Sequence, residues 1–335
     1  MRYILSLFLV SFLGLSGCSL SGDDDSSPNG SGGGSKATLP TSNGSHTETL
    51  VVMKDADWYG VAGEVLREYF EDPLYGLPQT EPTFKLLRVS PDKFTPLLKR
   101  TKSVLLFVKG DTSRYVLTSD EWAHPQVVAF FEYASEKDLI RMIRKHSESL
   151  MGALIESDRR AMEDILKRTE YARIPESLRD LGIQDMILPR SFRQTLDKDS
   201  IKIFRSQTLK TDQSLIFTIR PMDPDILPGQ DVVAWRDTVG KHYYEGERKG
   251  SFMTTETLFP PLQINTKIDG YFAIESRGLW KMAGDFMGGP FISYTIYDEE
   301  RQQILTIEGL IYGPEAKKRN LIFELSTIIQ SVKLN

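Results

Sequence analysis

Residues 136–168 read EKDLIRMIRKHSESLMGALIESDRRAMEDILKR, and the fold turns on this stretch. It holds no proline and a single glycine, Gly152. Leu139, Ile143, Leu150, Leu154, Met162 and Ile165 recur at helical spacing and make one apolar stripe, while the rest of the surface is dense with charge. At about 1.5 Å per residue such a helix runs roughly 50 Å, which exceeds the width of a small lobe. The spacing therefore predicts a long central helix that links two lobes. A break near Gly152 and Ser157, giving a helical hairpin, is the alternative.

Upstream, Glu48–Met53 is a short β-rich run, and Asp55 or Asp57 offers an N-cap. Val61, Val65, Leu66, Tyr69 and Phe70 follow at helical spacing until Pro73. A Gly/Pro-rich loop spans Leu74–Pro82. Phe84–Val89, Val104–Val108, Tyr115–Leu117 and Val127–Tyr133 read as strands, and Ser90-Pro91 reads as the start of a helix carrying Phe94, Leu97 and Leu98.

Downstream, Met186–Leu188, Ile201–Arg205 and Leu215–Arg220 read as strands. Asp231–Tyr244 reads as a helix with Val232, Trp235, Val239 and Tyr243 inward. Tyr271–Ser276, Phe291–Tyr297 and Ile304–Ile311 form a meander that turns at residues 298–301, and Glu315–Lys333 closes as a helix. The expectation is an α+β protein: two lobes of mostly antiparallel sheet with packed helices, residues 47–172 and 173–335, joined by the central helix. The order of elements in the second lobe is similar to the PsbP-like fold, an analogy of fold alone.

The chain has 335 residues, is 40% hydrophobic and 26% charged, and carries net charge −5; no nucleic-acid footprint is visible. Its one cysteine excludes internal disulfides and Cys-only metal sites. That cysteine, Cys18, follows a signal-peptide pattern in residues 1–17, with Arg2 ahead of an apolar run from Ile4 to Leu15. Leu15-Ser16-Gly17 before Cys18 resembles the lipobox of bacterial lipoproteins. The resemblance implies cleavage before Cys18 and a diacylglycerol on its thiol, with the acyl chains as the membrane attachment. Residues 18–46 then read as a flexible Ser/Gly/Asp tether, Ser and Gly filling half of positions 19–46. Asp23-Asp24-Asp25 resembles the acidic export tag of Bacteroidetes surface lipoproteins. The expected location is the outer membrane, on its periplasmic face or at the cell surface.

Three stretches are distinctive: Met253-Thr254-Thr255-Glu256, Arg277-Gly278-Leu279-Trp280 and Asp285-Phe286-Met287-Gly288-Gly289-Pro290-Phe291. Together with the closing run from Ile307 to Lys333, the VVM start and the long central helix, they resemble an uncharacterised lipoprotein family of the Bacteroidetes, domain of unknown function 4837. The resemblance runs over nearly the whole chain after the tether. It implies a lipoprotein and no particular activity.

The residues offer little catalytic chemistry. His46, His124, His146 and His242 stand at no metal-ligand spacing, so no metal and no cofactor is expected. His46 falls in the tether, and His124 precedes Pro125 in a turn. Ser90-Pro91-Asp92-Lys93 matches S-x-x-K without its companion motifs and reads as a helix cap. Gly284–Pro290 lacks the Lys-Ser/Thr of a phosphate loop and reads as a turn, with Gly288-Gly289 at positive φ. What remains is a surface: Arg277, Trp280, Asp285, Phe286 and Met287 as a ligand or partner patch, or as core. The expected role is non-catalytic binding or assembly in the cell envelope, with the membrane and an envelope protein or glycan as partners. The alternative is an envelope hydrolase that uses a carboxylate pair drawn from Glu256, Glu275, Asp285 and Glu308.

Overall fold

The computed structural model describes residues 39–334. The expected signal peptide, Cys18 with its expected lipidation, the Asp23–Asp25 run and most of the expected tether lie outside the described residues. In chain order the elements are β1 (Glu48–Val52), α1 (Asp55–Trp58), α2 (Val61–Phe70), β2 (Lys85–Val89), β3 (Ser103–Lys109), β4 (Arg114–Ser119), β5 (Val127–Tyr133), α3 (Glu136–Lys167), α4 (Glu176–Arg179) and β6 (Ile183–Asp185). They continue with β7 (Arg193–Lys198), β8 (Ile201–Gln207), β9 (Asp212–Pro221), α5 (Val232–Tyr243), β10 (Phe252–Thr255), β11 (Leu262–Ile268), β12 (Tyr271–Ala283), β13 (Gly288–Asp298), β14 (Gln303–Tyr312), α6 (Arg319–Gln330) and β15 (Lys333–Leu334). The α+β class is as expected.

The first sheet has the order β2-β1-β3-β5-β4. Its pairings β1–β2, β1–β3 and β3–β5 run parallel, and only β4–β5 runs antiparallel. The mostly antiparallel expectation therefore holds for the second sheet and is corrected for the first. The reason is visible in the strands. β1, β3 and β5 are near-continuous apolar runs covered on both faces, the mark of parallel strands, with no in/out alternation. One face packs Val51, Leu105 and Phe131 against α2 and the first half of α3, and the other packs Leu50, Val104 and Val128 against Phe94, Leu98 and Trp122. The helix expected after Ser90-Pro91 is two short 3-10 turns, Pro91–Lys93 and Leu98–Arg100, and the Ser90 side chain caps neither.

Helix α3 is unbroken for 32 residues. Ser135 caps it, with its Oγ accepting from the Asp138 N–H at 3.2 Å. Gly152 faces open space and marks no bend. The first half buries Leu139, Ile143, Leu150 and Leu154 on the first sheet, and the second half buries Met162 and Leu166 in the core of the second. One helix thus serves two cores. Ile165, expected in the stripe, is exposed, and Leu166 takes its place.

The second sheet is a half-barrel of eight antiparallel strands, β10-β12-β13-β14-β9-β8-β7, with β11 also on β12. α6 covers one face with Ile322, Leu325, Ile328 and Ile329, over Tyr294, Ile296 and Ile307. α5 covers the other, where Val239 meets Trp280, Phe291 and Leu310. On α5 the inward residues are Val232, Arg236, Val239 and Gly240, so Trp235 and Tyr243 are less buried than expected. Gly288 and Gly289 lie in β13 and have no positive φ; that conformation belongs to Gly284, at φ +84°. Gly289 is required for another reason: a Cβ there would stand 2.0 Å from the Ile311 carbonyl oxygen.

Two long-range ties join the elements of the sheets. The Glu81 carboxylate, from the loop before β2, accepts the Lys318 N–H at 2.7 Å and the Arg319 N–H at 3.4 Å. It supplies the cap that α6 has no local side chain to provide. The second tie corrects the tether boundary. Residues 39–46 are held against the first sheet: the His124 N–H donates to Pro40 O, and the Ser42 and Asn43 N–H groups to His124 O and Arg100 O, at 2.9–3.1 Å. His46 is not in a free tether; its ring stacks on Phe323 of α6 at 5.8 Å. Leu39-Pro40 interrupts the Ser/Gly run, and the backbone from Thr41 on finds strand partners although Ser42, Gly44 and Ser45 keep its composition tether-like.

Candidate functional site

The two faces of β12 decide where the expected patch goes. Alternate residues of a strand point to opposite faces, so Arg277 and Trp280, three apart, cannot share one. Trp280 is 2% exposed, packed between Tyr244 and Tyr312 on the α5 side, and its indole N–H donates to Ile311 O at 3.2 Å. Arg277 lies on the α6 side, paired through its Nε with Glu275. Met287 is partly buried against the Trp280 cluster. Asp285 stays at the hairpin, 3.6 Å from Arg248. Phe286 alone is fully presented, at 89% exposure, with the Arg248 guanidinium 5.0 Å from its ring centre. The five-residue patch is therefore core and surface together, split by strand alternation.

The four candidate carboxylates do not converge. Each is engaged by its own cation: Glu256 by Lys281 at 3.3 Å, Glu275 by Arg277, Asp285 by Arg248, and Glu308 by Arg236 at 2.9 Å. Glu275 and Glu308 point to opposite faces of the sheet, because their β13 neighbours in register are the adjacent residues Tyr294 and Ser293. Tyr294 donates to Glu275 at 2.8 Å and also meets Ser326, and its hydroxyl is held far above the usual phenol range, first by burial and then by the Glu275 charge. Burial raises the Glu308 carboxyl above its ordinary value, against the opposing pull of Arg236. A backbone hydrogen bond from Leu258 lowers the Glu256 carboxyl below its ordinary value; desolvation opposes this, and Lys281 adds to the lowering. These are structural ion pairs in separate places, not two carboxyls facing one cleft.

The histidines are equally dispersed. His124 pairs with Asp120 at 2.9 Å, His146 stacks on Tyr115 at 4.1 Å, and His242 Nδ1 meets Thr238 O at 2.8 Å. Among the described residues no three His, Cys, Asp or Glu side chains gather as a metal site would require.

What the structure does assemble is a crown of loops at one end of the second sheet. The turn at 208–211 joins β8 to β9, and 284–287 joins β12 to β13. Segments 245–251 and 313–318 lead from α5 and into α6. The Arg248–Asp285 pair ties two of these loops, and Gly313 packs directly on Lys210 O. The 256–261 loop leaves β10 beside Leu279, whose carbonyl accepts the Glu256 N–H at 2.8 Å. The Gly/Pro-rich 73–82 loop of the first half reaches over: Tyr75 donates to Pro260 O, and Gln79 to Pro314 O. Between them lies a groove of about 360 Å³, lined by Leu74, Tyr75, Leu77, Pro78, Phe259 and Leu279 among others. On these loops Leu258 and Phe259 are 80% and 60% exposed, and Leu209, in the 208–211 turn, is completely exposed.

Sequence reasoning pointed to Phe286 and missed Leu209, Leu258 and Phe259. Their signal was present as leucine and phenylalanine inside turn segments, in Thr257-Leu258-Phe259-Pro260-Pro261 and Thr208-Leu209-Lys210. Apolar residues are out of place in such turns unless something covers them.

Comparison with known families divides the chain in two. Residues 172–331 match the family described as Domain of unknown function (DUF4837), and residues 42–167 match that described as Domain of unknown function (DUF8532). The crown is built from both segments, since the 73–82 loop falls in residues 42–167 and the other loops in residues 172–331. The resemblance expected along nearly the whole body is thus found in its second half, with another uncharacterised family over the first. No curated protein matches the chain.

Proposed function

We propose that this protein is a non-catalytic lipoprotein of the cell envelope, anchored through Cys18 in the outer membrane of a Bacteroidetes-type cell and acting in binding or assembly. One observation carries the binding reading: the loop crown leaves Leu209, Leu258, Phe259 and Phe286 in solvent, and Phe259 also lines an apolar groove. A soluble monomer has no use for four such side chains at one end, whereas a binding surface does. The separate pairing of Glu256, Glu275, Asp285 and Glu308 weighs against the hydrolase alternative. The partners are the membrane, through the lipid, and a further envelope component. The anchoring reading rests on residues 15–18 and on the apolar run before them.

Cell fractionation tests the anchor: the parent chain is expected in the membrane pellet and Cys18→Ser in the soluble fraction, and a parent chain that is soluble overturns it. A photo-crosslinking residue at Phe259 is expected to give adducts in intact cells that the same residue at Leu117, on the first sheet, does not give. Equal labelling from both positions removes the crown from the reading. A hydrolytic activity abolished by Glu275→Gln or Glu308→Gln in a folded protein restores the enzyme alternative.

A further inference from the structure

We infer that the loop crown is a bilayer-docking surface: Leu209, Leu258 and Phe286 enter the headgroup region of a zwitterionic lipid surface and set the orientation of the body on the membrane. The inference rests on the proposed anchoring and adds to it which end of the body faces the lipid.

Location comes first. Leu209, Leu227, Leu258, Phe259 and Phe286 are the large hydrophobic side chains after β6 that are more than half exposed. Four of the five stand at the crown or on its flank; only Leu227, in the loop after β9, stands at the opposite end of the sheet. The four sit on three separate loops. A protein interface requires a contiguous apolar centre that packs against a matching shape. Fluid lipid requires only separate anchors at about the same level, each flanked by polar groups.

Charge points the same way. The six loop segments, residues 73–82, 208–211, 245–251, 256–261, 284–287 and 313–318, hold five cations and six carboxylates. That near balance gives no attraction to anionic headgroups, so the contact must come from apolar insertion into a neutral surface. Arg248, lying over the Phe286 ring, suits the boundary: its stem covers apolar surface and its head stays in the polar layer.

The described chain enters the body at residues 39–47, and Thr47 Oγ1 donates to Asn320 Oδ1 at 3.4 Å, in the first turn of α6. That helix starts directly after the 313–318 loop of the crown. Thr47, the last residue of this segment, thus lies beside the crown end of α6, while Pro40–Asn43 run along the first sheet.

The test uses the full chain, purified with its native lipid, and the fact that Cys18 is its only cysteine. Leu209→Cys, Leu258→Cys, Phe286→Cys and the control Leu227→Cys each receive a polarity-sensitive fluorophore and are placed in phosphatidylcholine vesicles. The expected result is a blue shift and about twofold quenching by a bilayer nitroxide at 209, 258 and 286, with neither at 227. No shift at any position in chains that float with the vesicles overturns docking. So does an equal shift at 227. Labels that stay in water on phosphatidylcholine but are shielded in native outer membranes also overturn it and assign the crown to a protein partner. The parent chain separates the two readings: a reactive Cys18 thiol shows that the anchor is absent, and the same vesicle readout on a Cys18→Ser background then decides docking alone.

Discussion

The backbone N–H of Thr47 donates to the carboxylate of Asp158 at 2.7 Å, across 111 positions of the chain. Asp158 is fully buried in the second half of α3, and its other oxygen lies 2.9 Å from the Nζ of Lys102, which is also buried. Thr47 itself holds φ +59°, an uncommon conformation for a β-branched residue, which this hydrogen bond helps to fix. The entering chain, the first sheet and α3 thus meet on one carboxylate.

Removing that carboxylate strands a buried ammonium and a buried N–H. Asp158→Ala is expected to lower unfolding stability by about 3–5 kcal/mol, read by chemical denaturation. The double variant Asp158→Leu/Lys102→Met, which removes both charges, is expected to recover most of that loss. If the double variant is as unstable as the single, the ion pair is not what Asp158 contributes.

Acidification acts through His46, beside the same pair. Burial holds its imidazole below the ordinary value of 6.5, and the charge of Lys102, 3.1 Å away, adds to the depression, while Asp158 opposes it. The unfolded chain then takes up the proton more readily than the folded one. His46 contributes no loss above 6.5, and stability falls as pH drops from there through the lowered folded value. Denaturation midpoints measured from neutral to mildly acidic pH are expected to decline in the parent and to flatten in this window in His46→Phe.

Glu81 is expected to behave as a helix cap supplied from another part of the chain. Glu81→Ala should cost about 1–2 kcal/mol, toward the upper end for a cap because the carboxylate is buried. Hydrogen exchange at the Lys318 and Arg319 amides should quicken, while amides in the middle of α6 keep their protection. Uniform acceleration along α6 would show that Glu81 supports the whole interface instead of the helix end.

The split patch gives a paired measurement. Trp280→Ala is expected to destabilise by about 3–5 kcal/mol, the cost of emptying a large core position. Phe286→Ser, six residues on, is expected to stay within about 0.5 kcal/mol of the parent. A thermal or denaturant unfolding series with both variants reads the difference directly.

Much of the architecture was legible from periodicity. The stripe from Leu139 to Met162 predicted α3 as a connector, and Leu325, Ile328 and Ile329 predicted the covered face of α6, because tertiary packing there follows the helical repeat. The direction of the first sheet was misread although Val104–Val108 carried the signal: a continuous apolar run says that both faces are covered, and that favours parallel pairing. The candidate site was legible only in part. Strand alternation alone separates Arg277 from Trp280, but nothing local reveals that Glu81 meets Lys318 or that His46 packs on Phe323. Those contacts join residues more than two hundred positions apart, and single-sequence patterns hold no record of such distances. The loop crown was hidden for the same reason, since its segments are scattered from residue 73 to residue 318.

Strand β1 is the first strand among the described residues and yet lies inside its sheet, paired to β2 on one side and β3 on the other. A mechanical pull arriving from the N-terminal side is delivered to that interior strand. It cannot peel an edge one bond at a time. It must shear two parallel ladders together, with the Asp158 contact in series ahead of them. The fold therefore places its greatest resistance to force where a protein held by its N-terminus would receive it.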